Sequence, residues 1–402
     1  MLRFATLFLA LLLPGAVLAQ TWTPQTTPTA EPLADVEFLD PMNGFAVADG
    51  GLLLRTTNGG TTWTSEILFG GALDLEGLAF NPSGTVGVIA TGDGPVFRST
   101  DGGATWALVN TGAQDLRHVD WAGDTAVWVA GRDGDSALST DAGQTWTFRP
   151  TGSIDRTESI SAVSATEAWI ANRSGEIRHT TNGGASWTSQ PSGTTSDLKD
   201  IQMLDASTGY IAGNGNVVLK TTNGGATWTN VATSGVSGNG LFFLDATTGW
   251  VVADAGQIWF TDNGGASWAT QPSGVAASFN RVHFPVDTQG WAVGDAGTVV
   301  HFTTGTTGAG PDETPARFAL EPAYPNPFNP STQLRFSLDA DGPARLAVYD
   351  ALGREVTVLV QGTLPSGDHA IAFNAEGLPS GLYLARLTAG TRSQVRTLTL
   401  AR

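Results

Sequence analysis

The sequence predicts an all-β protein: a seven-bladed β-propeller closed by its N-terminal strand, followed by a small Ig-like β-sandwich. The first observation is a phrase ending in tryptophan that recurs every 40 to 43 residues, at Trp22, Trp63, Trp106, Trp146, Trp187, Trp228 and Trp268. The second is that four short strand patterns fill each period. The third is a change of pattern after residue 304. A period near forty with four strands is typical of propeller blades.

One complete repeat, residues 200–229, shows the predicted strand order. Ile201–Leu204 alternates as a first strand, Tyr210–Gly213 forms a second, Val217–Thr222 a third, and Thr227–Thr229 opens a fourth. Turns rich in Gly, Asn and Asp separate these segments, and such residues favour tight chain reversals. Each period is therefore predicted to form one antiparallel sheet.

The ends of the repeat array predict how it closes. The second-strand phrase recurs seven times, from Gly44–Val47 to Gly290–Val293. The last repeat, Val299–Thr304, has no tryptophan strand of its own, whereas the fragment Thr21–Thr23 has no repeat of its own. We therefore expect the N-terminal strand to pair with the last blade, which removes an open sheet edge.

The first nineteen residues predict export. Arg3 supplies a positive charge, Phe4–Leu13 is an apolar stretch, and Val17–Ala19 fits a cleavage site before Gln20. This pattern is typical of a secretory signal peptide, and the apolar stretch is too short to span a membrane. We expect the mature protein to be exported, without a membrane span.

Composition excludes several classes of function. The chain has no cysteine, so thiolate metal sites and cysteine nucleophiles are excluded. Its formal net charge is −17, and residues 21–310 carry 28 acidic against 11 basic side chains. Such an acidic surface argues against binding nucleic acid or anionic lipid.

The tryptophan phrase has a defined residue pattern, Ser/Thr-x-Asn/Asp-x-Gly-x-Ser/Thr-Trp. It occurs at Thr56–Trp63, Ser99–Trp106, Ser139–Trp146, Thr180–Trp187 and Thr221–Trp228, and we interpret Thr261–Trp268 as a copy shifted by one residue. These phrases resemble Asp-box (BNR-type) repeats. With the Gly-Trp second strands, they resemble the photosystem II assembly and stability factor family of seven-bladed propellers over about 21–304. That resemblance implies photosynthetic assembly intermediates as partners, although nothing else in the chain indicates photosynthesis.

We expect the Asp box to be structural. Its Asn or Asp caps backbone N–H groups of its own turn, its glycine adopts a positive φ, and its tryptophan packs on the neighbouring hairpin. A Ca²⁺ site is the alternative, but one carboxylate among glycines offers too few oxygen ligands. The residues with this predicted role are Asn58, Trp63, Asp101, Trp106, Asp141, Trp146, Asn182, Trp187, Asn223, Trp228, Asn263 and Trp268.

An enzyme is the main alternative function, because Asp boxes also occur in sialidases and other glycosidases. Resemblance to a sialidase implies a tyrosine nucleophile, yet Tyr210, the only tyrosine between residues 20 and 304, occupies a core position of a second strand. The histidines His118, His179, His283 and His301 show no metal-ligand spacing. We expect no catalysis, no cofactor and no metal. A secreted glycoside hydrolase that uses two carboxylates stays an open alternative.

Blade geometry predicts where a ligand would bind. The loops before each first strand and between strands two and three share one face, and the Asp-box turns lie on the opposite face. The first-strand entrances carry the predicted ligand-binding residues Asp35, Glu76, Arg117, His118, Glu158, Lys199, Asp200 and Arg281. The other loops add Asp49, Asp93, Arg132, Asp133, Asp135, Arg173, Asp254 and Asp295. We expect a protein or polysaccharide ligand at this rim; a solvated rim without a ligand is the alternative.

The C-terminal segment predicts the destination. After a linker at 305–320, alternating strands are predicted at Gln333–Leu338, Ala344–Tyr349, Glu355–Val360, His369–Phe373, Leu382–Leu387 and Gln394–Leu400. The strings Tyr324–Thr332, Val348–Arg354 and Ser380–Tyr383 resemble the type A sorting domain of the type IX secretion system over 321–402. That resemblance implies transport across the outer membrane by the type IX machinery, and removal of the domain afterwards. The chain ends in arginines rather than the family's frequent lysines. A related Ig-like module of flagellar hook-capping proteins is the alternative.

These signals define four predicted segments: a signal peptide at 1–19, the propeller at 20–304, the linker at 305–320 and the sorting domain at 321–402. We expect a monomer.

Overall fold

The computed structural model describes residues 19–233, 235–305, 318–320, 323, 328, 331–338, 340, 342–350, 354–364, 367–375, 377–390 and 392–400. The predicted signal peptide, apart from Ala19, and most of the predicted linker lie outside these residues. The chain divides into two compact units between residues 307 and 308. The four segment boundaries stay predictions.

Within residues 19–305, apart from residue 234, the strands form seven four-stranded antiparallel sheets. The first three sheets are β2 (Leu33–Phe38), β3 (Gly44–Ala48), β4 (Leu52–Thr56), β5 (Thr64–Ile67); β6 (Leu75–Phe80), β7 (Gly87–Thr91), β8 (Val96–Ser99), β9 (Ala107–Val109); and β10 (Leu116–Ala122), β11 (Ala126–Gly131), β12 (Ser136–Ser139), β13 (Thr147–Phe148). The next three are β14 (Thr157–Ala162), β15 (Ala168–Asn172), β16 (Ile177–Thr180), β17 (Thr188–Gln190); β18 (Leu198–Met203), β19 (Gly209–Gly213), β20 (Val217–Thr221), β21 (Thr229–Asn230); and β22 (Gly240–Phe243), β23 (Gly249–Val252), β24 (Gln257–Thr261), β25 (Ala269–Pro272). The seventh is β26 (Phe279–Val286), β27 (Gln289–Gly294), β28 (Val299–Gly305) and β1 (Ala19–Gln25). The predicted all-β propeller class is confirmed.

The N-terminal strand β1 completes the seventh sheet. It pairs antiparallel with β28, with Trp22 opposite Phe302. The buried Trp22 ring lies 5.1 Å from the ring of Phe302, and its Nε1 donates to Oε1 of Gln271 at 2.7 Å. The first strands of successive sheets contact one another, and β26 of the seventh sheet contacts β2 of the first. The closed seven-bladed ring stays a prediction, and these contacts support it.

The second strand of each sheet is the most deeply buried because the neighbouring sheets pack against both of its faces. The residues of β3 and β19, for example, are all buried. Tyr210 of β19 is fully buried, stacks on Phe243 with ring centroids 3.6 Å apart, and donates its hydroxyl to the Ala246 carbonyl at 2.8 Å. This tyrosine therefore lies in the core, where its strand position predicts it.

The Asp-box turns have the local geometry that the sequence predicts. In the first, Asn58 Oδ1 accepts from the Thr62 N–H at 2.9 Å and Thr56 Oγ1 accepts from the Gly60 N–H at 2.9 Å. Asp101 accepts from the Thr105 N–H at the same distance. Asn and Asp therefore satisfy the same backbone donor in different repeats.

One prediction about these turns is wrong. The sixth copy is not shifted, because Asn263 Oδ1 accepts from the Ser267 N–H at 2.9 Å and Thr261 Oγ1 from the Gly265 N–H at 2.9 Å. These contacts match those of the first turn position by position. The extra acid Asp262 only replaces the variable residue after the threonine.

The C-terminal unit contains two sheets that share one apolar core. The smaller sheet is β29 (Ala319–Leu320), β30 (Ser331–Leu338) and β33 (Gly367–Asn374). The larger has the order β32 (Glu355–Leu364), β31 (Gly342–Asp350), β34 (Gly381–Ala389) and β35 (Arg392–Leu400). Phe336, Leu346 and Leu398 from both sheets lie in one buried cluster. Each of the six predicted strands has a counterpart, and the short β29 was not predicted.

Candidate functional site: the first strands and their entrances

Most first strands begin with an irregularity that positions the predicted binding residues. The pairing of the first and second strands shifts between Leu75 and Gly77, between Leu116 and His118, and equivalently in β2, β14, β18 and β26. Such a bulge leaves one residue unpaired and redirects its side chain. The unpaired positions hold Glu76, Arg117, Glu158 and Lys199, and the next positions hold Asp35, His118, Asp200 and Arg281. The eight predicted residues therefore lie in two successive layers.

The bulge layer forms an ion-paired group with residues of the adjacent loops. Arg117 Nη1 lies 2.5 Å from Glu76 Oε1 of the preceding sheet, and its Nε lies 3.3 Å from Asp115. Arg132 Nε lies 3.0 Å from the other oxygen of Asp115. These contacts join the second and third sheets at their entrances.

The same pattern continues onto the fourth sheet. Glu158 Oε1 lies 2.5 Å from Arg173 Nε and 3.3 Å from Arg156 Nε. We call this ion-paired group the mouth cluster. Its members are Glu76, Asp115, Arg117, Arg132, Arg156, Glu158 and Arg173. Lys199 lies apart from it and faces Asp197 at 3.7 Å.

The mouth cluster gathers four of the eleven basic side chains of residues 21–310, a segment with 28 acidic ones. Its four guanidinium groups face the carboxylates of Glu76, Asp115 and Glu158, and Asp49 and Asp197 lie near its margin. Burial lowers the pKa of Arg156, and the nearby Arg117, Arg173 and Arg132 lower it further against the opposing effect of Glu158. The side chains of Arg132 and Arg173 are 44% and 42% exposed, so their remaining N–H donors face solvent.

The second layer links neighbouring sheets. Asp35 Oδ2 accepts from the Leu78 N–H of the second sheet at 2.8 Å. Asp200 accepts from Ser159 of the fourth sheet at 2.8 Å and from the Leu241 N–H of the sixth at 2.9 Å. These bonds replace the backbone ladder that first strands of different sheets lack.

His118 and Arg281 also reach across sheet boundaries. His118 Nδ1 lies 3.2 Å from the Ile160 carbonyl, and Arg281 Nη1 donates to the Asn239 carbonyl at 3.1 Å. Burial lowers the pKa of His118 to about 4 and raises that of Asp35 to about 6. The structure therefore separates the predicted residues: Asp35, His118, Asp200 and Arg281 connect sheets, whereas Glu76, Arg117 and Glu158 form the entrance. Their roles in ligand binding stay predictions.

A third layer of polar groups was missed in the sequence. Asp120 Oδ2 accepts from the Ala162 N–H at 2.7 Å, and burial raises the pKa of Asp120 to about 7. Glu37 lies 3.7 Å from His283 Nε2, and His283 Nδ1 accepts from the Phe38 N–H at 3.2 Å. These residues stand two positions after the second layer, so a strand period of two in the aligned repeats could have found them.

Two further observations concern metal ions and membranes. Among the described residues, no group of three or more His, Cys, Asp or Glu side chains is arranged to hold a metal ion. In the same part of the chain, no helix is long and apolar enough to cross a membrane.

The fold and these layers define an Asp-box β-propeller that carries a C-terminal sorting domain. The family model described as photosynthesis system II assembly factor YCF48 matches residues 15–115, and that of the secretion system C-terminal sorting domain matches residues 322–401. Both predicted resemblances are confirmed. The sorting domain is that of type IX secretion, and it directs export to the outer-membrane surface or the extracellular space. No curated protein matches the chain.

Solved structures resemble the propeller in fold. YCF48 bound to D1 peptide has a TM-score of 0.60 at 19% identity, covering 70% of this chain and 97% of that one. YCF48 from Cyanidioschyzon merolae has a TM-score of 0.57 at 19% identity, covering 70% and 98%. The WD40 β-propeller domain of Doa1 has a TM-score of 0.60 at 10% identity, covering 71% and 97%. At these identities the likeness shows the fold alone.

Proposed function

We propose that this protein is a non-catalytic binding protein, exported by type IX secretion, whose mouth cluster binds an acidic segment of a partner protein. The observation that carries the proposal is the concentration of four arginines in the mouth cluster of a strongly acidic protein. Guanidinium groups bind carboxylates through paired, charge-assisted hydrogen bonds. One similar fold, YCF48, is known bound to D1 peptide, which supports a peptide as the ligand class.

The arrangement of the cluster suits reversible binding. Glu76, Asp115 and Glu158 hold the guanidinium planes of Arg117 and Arg156 in fixed orientations. Arg132 and Arg173 extend further into solvent and can exchange a protein carboxylate for one from a ligand. Because these two pairs are partly exposed, salt should weaken the binding.

Binding of synthetic peptides by the full mature chain tests this proposal. Fluorescence anisotropy would compare a peptide of Glu and Gly with a peptide of Lys and Gly, and polygalacturonate would represent an acidic glycan. We expect the acidic peptide to bind and the combined Arg132→Gln and Arg173→Gln variant to lose at least about tenfold in affinity, since each charge-assisted bond contributes about 1.5–3 kcal/mol. Arg178→Gln, which removes an arginine paired with Glu176 outside the cluster, is the matched control.

Two outcomes would contradict the proposed ligand. Equal affinity of the acidic peptide for the double variant and the wild type would remove the mouth cluster from the function. Binding of polygalacturonate but not of the peptide would replace the protein ligand by a glycan.

The absence of catalysis is also part of the proposal. The carboxylates of Asp35, Asp120 and Asp200 accept backbone N–H groups, and the Tyr210 hydroxyl is bonded in the core. These hydrogen bonds give each group a structural partner within the protein, which supports a structural role. Release of reducing sugar from sialosides or polysaccharides by the purified protein would establish the glycoside hydrolase alternative instead.

Delivery by the C-terminal domain has its own test. A chain that lacks 321–402 should accumulate in the periplasm, which cell fractionation with an antibody against the propeller would detect. Normal appearance of the shortened chain at the cell surface would assign export to another part of the protein.

A further inference from the structure

A second surface of the propeller, beside the mouth cluster, has the properties of a docking site. In the described part of residues 19–305, every large hydrophobic side chain with high exposure lies between residues 42 and 154. These side chains are Met42, Ile67, Phe69, Leu108, Phe148 and Ile154. On the remaining described sheets of the propeller, no large hydrophobic side chain reaches this exposure. The apolar exposure is therefore confined to one part of the repeat array, although the repeats are alike in sequence.

Three of these side chains lie together where the first and second sheets meet. We name Ile67, Phe69 and Leu108 the rim patch; they are 53%, 64% and 41% exposed. The Phe69 ring lies 6.4 Å from that of Phe97, and Leu108 stands opposite Phe97 in the strand ladder. Phe97 therefore links Phe69 and Leu108, and grouped exposed apolar side chains on a soluble protein indicate an interaction site.

The backbone at the centre of the patch is unusual. Phe69 has φ 48° and ψ 35°, in the left-handed region that bulky residues avoid. Gly70 follows with φ 66°, and the loop is fixed by a 2.8 Å bond from the Leu68 N–H to the Gly51 carbonyl. This conformation leaves the Phe69 ring 64% exposed, with an edge-on contact to Phe97. Backbone strain of this kind is frequent at ligand-binding positions.

Acidic groups surround the patch. Glu66 precedes Ile67 on the exposed strand β5, and Asp74 Oδ1 accepts from the Gly50 N–H at 2.9 Å beside the loop. Burial raises the pKa of the adjacent Asp49, and repulsion from Asp74 raises it further against the opposing effect of Arg117. Residues 20–115 carry two basic side chains. Those two arginines, Arg55 and Arg98, donate to carbonyls of the following sheets.

We infer that the rim patch is a docking site for a partner polypeptide segment that combines apolar and basic side chains. The apolar side chains of such a segment would cover Ile67, Phe69 and Leu108, and its Lys or Arg groups would face Glu66, Asp49 and Asp74. Charge complementarity selects this occupant, because the local charge opposes an acidic segment. The mouth cluster, with its four arginines, would select the opposite charge. One protein would then present two surfaces with different partners.

The test measures peptide binding by the full mature chain with fluorescence anisotropy. The probe is a short peptide of Leu, Lys and Gly; matched peptides replace Lys by Glu, or Leu by Ser. We expect only the Leu/Lys peptide to bind, and we expect high salt to weaken it. Phe69→Gly and Leu108→Ser should each reduce its affinity at least about tenfold, which is about 1.4 kcal/mol. Phe148→Ala, which removes an exposed aromatic ring of the third sheet, is the matched control.

The Phe69→Gly variant separates binding from folding. Glycine adopts positive φ without strain, so its melting temperature should not fall below that of the wild type while its binding is lost. Unchanged Leu/Lys binding in this variant, or no binding of that peptide by the wild type, would overturn the inference. Concentration-dependent self-association that Phe69→Gly abolishes would assign the patch to a second copy instead. The combined Arg132→Gln and Arg173→Gln variant should bind the Leu/Lys peptide as the wild type does. The two proposals can therefore fail independently, and the experiment shows which one has failed.

Discussion

The indole Nε1 of Trp291, in the seventh sheet, donates a 3.2 Å hydrogen bond to the carbonyl of Gly59 in the Asp-box turn of the first sheet. Equivalent bonds join Trp169 to Gly224 and Lys220 to Gly264, at 3.2 Å each. The Asp box therefore has a role beyond its own turn. Its tight geometry presents a glycine carbonyl to the sheet that precedes it, so the boxes help to fix the spacing between sheets.

We predict that the two donors to Gly59 act together. Gln25 Nε2 donates to the same carbonyl at 2.7 Å, and Trp291 is fully buried, so Trp291→Phe alone should cost at least about 1 kcal/mol through the lost hydrogen bond and core packing. Removing both donors with Trp291→Phe and Gln25→Ala leaves the carbonyl unsatisfied and should cost more than the sum of the single changes. Urea unfolding of the four proteins measures this coupling, and strictly additive free energies would contradict it.

We predict that Trp22 contributes strongly to the stability of the seventh sheet. Trp22→Ala removes an indole that packs on Phe302 and Phe284 and donates to Gln271, which should cost about 3–5 kcal/mol. Trp22→Phe keeps part of this packing and should lose less. Thermal unfolding compares the variants; a melting temperature of Trp22→Ala equal to that of the wild type would show that β1 contributes little.

We predict that Asn223 can become Asp but not Ala. Asp101 and Asp141 accept the equivalent backbone N–H in their own boxes at 2.9 Å, so Asn223→Asp should be nearly neutral. Asn223→Ala leaves the Thr227 N–H without its acceptor and should cost about 1 kcal/mol. Chemical denaturation of both variants checks this. Equal destabilisation by Asp and Ala would mean that the amide group itself is required.

We predict a pH-dependent stability effect at Asp120. Its folded-state pKa, about 7, lies above its ordinary value of 3.8, so its stabilising contribution is complete below that value and is lost as the pH rises towards 7. His118 and His283, whose pKa burial lowers to about 4, act in the opposite direction: their contribution is present above 6.5 and is lost as the pH falls towards 4. Asp35, whose pKa burial raises to about 6, adds to the effect of Asp120, and His301, whose pKa burial lowers to about 4, adds to that of the other histidines. The wild type should therefore show a shallow pH dependence in this range.

Asp120→Asn removes one of the groups whose stabilising contribution is lost as the pH rises. The variant should be less stable than the wild type near pH 5, and the difference should shrink or reverse near pH 8, by about 1.4 kcal/mol for each unit of the shifted pKa. Melting temperatures of both proteins across this range provide the measurement. A difference that does not vary with pH would show that Asp120 is ionised throughout.

Much of the fold could be predicted because the same pattern of strands and turns recurs along the chain. The spacing from Trp22 to Trp268 and the surplus strand at Thr21–Thr23 were enough to predict the pairing of β1 with β28. The candidate site was harder, because it depends on the bulges that open the first strands. A bulge places Glu76 and Gly77 in different layers although they are neighbours in sequence. Sequence spacing alone therefore grouped Asp35 and Asp200, which connect sheets, with Arg117, which forms the entrance.

The ionisable third layer and the rim patch were missed for other reasons. Asp120 and His283 differ in chemistry from their counterparts in other repeats, so no recurring phrase marks them. Phe69 resembles an ordinary core residue in sequence, and only its backbone conformation places the ring in solvent. Exposure and strain are properties of the folded chain.

The pairing of β1 with β28 also sets an order of events during synthesis. Thr21 and Thr303 meet across a separation of 282 residues, whereas every other sheet is complete within about forty residues of chain. Local sheets can form as the chain emerges, but a contact over such a distance must wait and carries a large loop-closure cost. A chain that ended just before β28 would contain six complete sheets, and β1 would have no partner strand.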